Sequence, residues 1–277
     1  MSDDPLKRGT PPGSLRQFAV TYAPPHARLL LDALYAYEAE VADTARVSSH
    51  EVAHTRIAWW RDEVDRLLQG EPRHPVTRAL LPLRDRAGEE LSLLQEPLLA
   101  AEIDLARLTL DDSRELDRYC FRATGSLQTL AALASLDSGK LGDEERTFAR
   151  RLGIAVRRTE QLRDLRADLG SGRLRIPLDA LTSIGVDPQQ VVPDAVPPAL
   201  QRWLDSTRQQ LQQELASLGQ SLDRAARTRQ RQGLVLAALH RQLLTRIQHG
   251  PALARTRAEV PPWTRLWTAW RTALRAA

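Results

Sequence analysis

The sequence predicts an all-α domain, and three observations carry that prediction. Apolar residues recur at three- and four-residue spacing through most of the chain. No stretch alternates as a strand or carries a hairpin turn signal, and no repeat of about 20 to 50 residues is evident. A chain of 277 residues is long enough for one helical domain with a sizeable core. Residues 1–13 are polar and rich in Pro and Gly, which predicts a disordered tail ahead of a single domain over 14–277.

The first helix is expected from about Pro25, with Leu30, Leu34, Tyr37 and Val41 on one apolar line and Glu38, Glu40 and Asp43 on its flanks. The second is expected over Glu51 to Leu68, closed by Gly70, with Ile57, Trp60, Val64 and Leu67 facing inward. Leu80 to Arg107 reads as two amphipathic segments, with Pro82 and Pro97 marking starts or kinks. Asp112 or Ser113 is placed to cap a helix running to about Leu136. Asp143 is placed to cap the next, which Gly170-Ser171-Gly172 stops. A short helix after Pro177 and a Pro/Val connector lead to a long one from Leu200 to about Arg229. An almost wholly apolar segment then runs from Leu234 to Ile247. The tail carries Trp263, Trp267 and Trp270 on one side of an amphipathic helix, which suits either docking on the bundle or a peripheral membrane contact.

Composition narrows the function classes. The formal net charge is only +4, and lysine occurs only at Lys7 and Lys140, so the basic character is an Arg bias spread along the whole chain. No basic block interleaved with aromatics forms a groove for nucleic acid, and that partner is not expected. Cys120 is the only cysteine, which excludes an intramolecular disulfide, and Tyr119 and Phe121 beside it suggest a buried apolar role. The N-terminus lacks the apolar run of a secretory leader, and no stretch approaches the ~20 apolar residues of a membrane span. A cytoplasmic protein, soluble or peripheral to a membrane, is the expectation.

One segment has a spacing that suggests chemistry. Between Gly153 and Pro177, Glu160, Asp164 and Asp168 recur every fourth residue and so stack along one helix face. Carboxylates one turn apart suit a hard cation such as Mg²⁺, which takes oxygen ligands and bridges them to substrate phosphates. Arg173 and Arg175, just past the helix end, could hold phosphate oxygens. Arg157, Arg163 and Arg166 interleave with the acids, so the same spacing also suits a solvated face of ion pairs. Spacing alone leaves both readings open.

The segment resembles the second aspartate-rich motif of the squalene/phytoene synthase family, GxAxQxTNxxRDxxxD followed by GRxYxP. Gly153, Ala155, Thr159, Arg163, Asp164, Asp168, Gly172, Arg173 and Pro177 stand at matching places, while Arg157, Glu160 and Arg175 replace the family Gln, Asn and Tyr. The first motif, YAFxREVDDxxD, is similar at Tyr35, Ala36, Tyr37, Glu40, Val41 and Asp43, with Arg28 at the place of an arginine the family often carries upstream. Ala39, Ala42 and Arg46 replace its Arg and two of its three aspartates. The run RIAWWRDEVDRLLQGEPRHPVTRAL resembles a stretch shared by bacterial squalene-forming enzymes and a related assembly factor of respiratory complex I. Tyr119, Cys120 and Gly125 match a YCxxxAG motif, with Thr124 in place of Ala.

The resemblance implies a helical bundle around a central cavity, the isoprenoid synthase fold, with the two acidic helices facing one another across its mouth. It implies Asp164, Asp168, Glu40 and Asp43 as catalytic residues, with Asp164, Asp168, Glu160 and Asp43 as metal ligands. It also implies Arg163, Arg173, Arg28 and Tyr119 as substrate contacts. Mg²⁺ is the implied cofactor and a prenyl diphosphate or related lipid the implied partner, while use of NADPH and any protein partner stay open. With two first-motif aspartates replaced, diphosphate binding through the second motif with weak or lost condensation is expected. The alternatives are an active head-to-head prenyl transferase and a non-enzymatic scaffold.

Overall fold

The computed structural model describes residues 4–47 and 49–276. Among them the chain is helical, with two isolated bridges and no strand. Its first half is built on α2 (Arg28–Thr44), which follows a short α1 (Leu15–Thr21) and packs against α3 (His50–Gln69), α4 (Pro75–Ala87), α5 (Glu96–Leu105) and α7 (Ser126–Ala134). Its second half is built on α8 (Asp143–Gly170) and α12 (Arg231–Leu244), joined by α9 (Leu178–Ser183), α10 (Pro198–Ser217), α11 (Arg224–Arg229) and α13 (Pro262–Arg275). Each half has its own apolar cluster, and α8 packs on α7 to join them. The all-α bundle is therefore as expected, and the division into two clusters leaves room between α2 and α8.

Local chemistry sets the boundaries. Ser49 accepts from the Val52 N–H to open α3, and Gly70, with φ of 90°, closes it in the left-handed region that favours glycine. The α3–α4 turn is held by Glu63, whose buried carboxylate accepts from the Arg73 and His74 N–H groups at 2.7 Å and from the Thr77 hydroxyl at 2.5 Å. Pro82 lies inside α4, and Pro97 sits in the first turn of α5, where its missing N–H costs nothing.

Several elements differ from expectation. The helix expected from Asp112 to Leu136 is α6 (Ser113–Cys120), a π-helical turn (Phe121–Gly125) and α7. The π turn lets Gly125 meet α8: a methyl group on Gly153 would lie 2.4 Å from the Gly125 Cα. Asp143 begins α8 without capping it, since Gly142 holds the N-cap position. The long helix expected to Arg229 stops at Ser217, and Asp223 opens α11 by accepting from the Ala226 N–H.

The described part of the tail expected over 1–13, residues 4–13, is not free. Residues 1–3 lie outside the described residues, but 4–13 lie along α2 as a strap. Asp4 caps a 3-10 turn, Pro5–Lys7, and Lys7 donates to the buried Asp32 at 2.5 Å while the Thr10 hydroxyl donates to the same carboxylate at 2.6 Å. Gly9 presses on the backbone of Tyr35, where any side chain would collide. The polar composition that suggested a tail instead satisfies an aspartate buried in the α2 face.

Candidate functional site

A cavity of about 630 Å³ opens between α2 and α8, with α1, α5, α6, the π-helical turn, α12, the N-terminal strap and the segment leading into α13 completing its wall. That size lies within the range of small-molecule sites. Leu15, Val41, Pro97, Ala100, Ala101, Ala123, Leu243 and Val260 give it apolar surface, and Ala39 and Ala42 leave open space where longer side chains would fill it.

The acidic residues converge here, and arginines hold them. On α2, Arg8 from the strap donates to Glu40 at 2.7 Å and to Asp43 at 2.6 Å, and Arg46 reaches Asp43 at 3.1 Å. On α8, Asp164 is gripped by two forks: Arg163 donates at 2.9 and 2.7 Å, and Arg257 at 2.7 and 2.8 Å. Burial works against ionisation of Asp164, but Arg257 and Arg163 outweigh it and hold the carboxyl below the usual range.

Arg16, from α1, bridges the two acidic helices. It donates to Glu160 at 2.9 Å and lies 3.0 Å from Glu38, which also accepts from the Thr124 hydroxyl at 2.9 Å. The two carboxylates share one guanidinium and respond differently. Burial raises Glu38, helped by the charge on Glu160. For Glu160 the opposing effects of Arg16, His240 and Arg163 outweigh burial and hold it well below the normal range.

A second cluster explains two departures from the family motif. Arg157 donates to the Tyr119 hydroxyl at 2.6 Å, and that hydroxyl donates to Asp104 at 2.8 Å. Arg175, buried, donates to the same Asp104 and stacks 4.6 Å above the Tyr119 ring. The two arginines, 18 residues apart in sequence, thus meet on one carboxylate and one phenol, whose pKa is pushed up to about 12 by burial. Asp168 turns toward this cluster, 3.5 Å from Arg173, and burial raises its carboxyl.

The candidate residues therefore divide. Asp43, Tyr119, Glu160, Arg163 and Asp164 line the cavity; Glu40 reaches it only through Arg8. Asp168 and Arg173 pair with each other and are not among the lining residues. Arg28 does not join the site: it is exposed at the start of α2 and donates to the Ala23 carbonyl, at the opposite end of the helix from Asp43. Sequence reasoning did not assign Arg8, Arg16, Glu38, Asp104 or Arg257 to the site. Glu38 carried a usable signal, its position between the motif's Tyr37 and Glu40. Arg8 and Arg257 lie in loop-like segments with no pattern of their own.

The donor set does not fit Mg²⁺ as arranged. A hard divalent cation needs several free oxygen ligands at one point, and each acidic residue expected as a ligand already pairs with a guanidinium. Among the described residues no group of three or more His, Cys, Asp or Glu side chains is placed to hold a metal ion. Cys120 is buried, with its thiol pushed up to about 12 by burial.

The Trp-bearing helix docks by its small residues, Ala269 and Ala273, against α12 and α1. Trp263, Leu266, Trp267, Trp270 and Leu274 are left exposed, Trp263 by 81%. No helix among the described residues is long and apolar enough to cross a membrane.

Comparison with known proteins points one way. The family model described as squalene/phytoene synthase matches residues 14–265. A phytoene synthase of Thermus thermophilus is 31% identical over 218 residues, covering 75% of this chain and 70% of the relative. A phytoene synthase of Arthrospira platensis is 27% identical over 165 residues, covering 55% of this chain and 52% of the relative. Against relatives such as the latter, the chain spans about half their length. The fold matches the crystal structure of a dehydrosqualene synthase in complex with ligand, with a TM-score of 0.76 at 16% identity over 94% of this chain and 90% of the other.

Proposed function

Because the chain belongs to the squalene/phytoene synthase family, we propose that it binds a prenyl diphosphate or related isoprenoid lipid in the cavity between α2 and α8, with head-to-head condensation weak or lost. The observation that carries this reading is the cavity itself, which stays open and partly apolar while arginines engage the carboxylates at its mouth. An apolar wall of alanines and leucines suits a hydrocarbon chain, and the charged rim suits an anionic headgroup. Condensation asks for more, because two diphosphates bring several negative charges into one cavity. The first acidic helix has lost the oxygen ligands at Ala42 and Arg46, and Arg8 covers the rest.

The C-terminal helix supports a location for this ligand. Its exposed Trp and Leu face, with Arg271 and Arg275 beside it, has the character of a helix that lies in a membrane interface near anionic headgroups. The reading is that of a protein that takes its lipid from a membrane surface without spanning it.

The deciding experiment incubates the protein with farnesyl or geranylgeranyl diphosphate, Mg²⁺ and NADPH, and measures both binding and product. Binding without turnover is the expected result. A C30 or C40 product overturns the loss of condensation, and no binding at all leaves a scaffold.

A further inference from the structure

We infer that this protein recognises its diphosphate without a metal ion, through the guanidinium groups of Arg163 and Arg257 at the cavity wall. The inference rests on the proposed binding of a prenyl diphosphate and concerns how the headgroup is held.

The argument starts from charge. Around Glu40 and Asp43, Arg8 and Arg46 supply two positive charges against two negative ones, so that site is already neutral. Around Asp164 the balance differs: Arg163 and Arg257 both close on a single carboxylate, two positive charges against one at that point, with Glu160 on the same helix offsetting part of the surplus. Each uses its Nε and Nη2 on Asp164, so its Nη1 group is not spent on that fork. Asp164 thus gathers two guanidinium groups on one carboxylate, each with an Nη1 group left to donate to a phosphate oxygen.

Geometry adds to charge. Asp164 lies on α8 two turns beyond Arg157, which also lines the cavity and whose buried Nε has no hydrogen-bond partner. Arg257 arrives from the segment between α12 and α13 and is exposed on its outer side, so a headgroup can reach it from the mouth. A metal would have to displace arginine donors from Asp164, whose two oxygens each accept from both Arg163 and Arg257, before coordinating it. An incoming diphosphate needs no such exchange, because it can take the Nη1 groups that Asp164 does not engage.

The test is a set of binding titrations with the full chain, using a non-hydrolysable farnesyl thiolodiphosphate, inorganic pyrophosphate and farnesol, each in EDTA and in excess Mg²⁺. The expected result is that the thiolodiphosphate binds equally well in EDTA, and that Arg257→Ala weakens it by about tenfold or more while Arg257→Lys recovers part of the loss. Circular dichroism of both variants checks that the fold is kept. Pyrophosphate should compete, and farnesol should bind more weakly. Binding that requires Mg²⁺ overturns the inference and leaves the proposed function standing. An Arg257→Ala variant with unchanged affinity in EDTA, or farnesol binding as tightly as the diphosphate, overturns the assignment of the headgroup site. Absence of binding under every condition overturns the proposed function as well.

Discussion

Gly153 on α8 sits against Gly125 of the π-helical turn so closely that a Cβ on Gly153 would come within 2.4 Å of the Gly125 Cα and 2.9 Å of the Thr124 carbonyl oxygen. Both obstacles are backbone, which cannot rotate aside. A Cβ on Gly125 meets mainly the Phe121 ring, at 2.8 Å, and that side chain can turn. Gly153→Ala is therefore expected to cost more than Gly125→Ala, by about 1 to 3 kcal/mol of overpacking. Thermal melts of the two variants check the order, and equal losses would show that the helices separate freely at this point.

Glu63 anchors the α3–α4 turn from a fully buried position. Burial alone would raise its carboxyl, but the His74 N–H, the Thr77 hydroxyl, the Arg73 N–H and the Arg66 guanidinium hold it at about 2. The folded value lies below the unfolded one, near 4.5. Its contribution is thus present above the unfolded value and is lost as pH falls toward 2, worth about 3 kcal/mol by linkage. Glu63→Ala should lose stability at pH 7 and show a flatter acid limb than the parent in denaturant titrations between pH 5 and 2. An unchanged acid limb would show that this carboxylate has no part in acid unfolding.

The strap gives a proteolytic signature. Lys7 and Arg8 are followed by Gly9, which is pressed on the Tyr35 backbone, and both basic side chains are tied to α2. Trypsin should cut after Lys7 and Arg8 slowly in the parent and readily in Asp32→Asn. That variant keeps the shape but removes the charge that holds Lys7. Rapid cleavage of the parent at these sites would show that the strap is not docked.

The helical class and most of the core were readable because periodicity reports burial directly: Leu30, Leu34, Tyr37 and Val41, or Ile57, Trp60, Val64 and Leu67, are all buried where their spacing put them. The second acidic motif was readable as a family pattern, and Glu160 and Asp164 do line the cavity. The pairing was not readable. Arg16 and Glu160 are separated by 144 positions, and Arg257 and Asp164 by 93, so no local pattern connects them. The strap was misread for a related reason. Its polar residues looked unable to bury themselves, and the partner that satisfies them, Asp32, is a polar residue hidden in an otherwise apolar helix face. Arg157 and Arg175 appeared as two unrelated departures until both were seen to close on Asp104 and Tyr119.

Arg16 offers the sharpest test of how the two acidic helices are held together. Its guanidinium lies between Glu38 and Glu160, whose side chains are 13% and 8% exposed, so Arg16→Ala leaves two buried carboxylates without the cation they share. Removing one partner of a buried ion pair costs about 3 to 5 kcal/mol. In the parent, Glu160 is held well below its usual value and so stabilises the fold above the unfolded pKa, a contribution lost on acidification. In Arg16→Ala the largest opposing charge is gone, so burial raises Glu38 further above its unfolded value and Glu160, left with His240 and Arg163, rises from its low one. A raised carboxyl costs stability at high pH, and that cost disappears once pH falls below the unfolded value. Both effects act in the same direction, so the stability gap between parent and variant should be widest near pH 7 and should narrow as pH falls through about 4 to 5. Glu160→Gln in the Arg16→Ala background should recover part of the loss at pH 7, because it removes one of the two stranded charges. A gap that does not change with pH, or a double variant no more stable than Arg16→Ala, would show that Arg16 acts through packing rather than through charge.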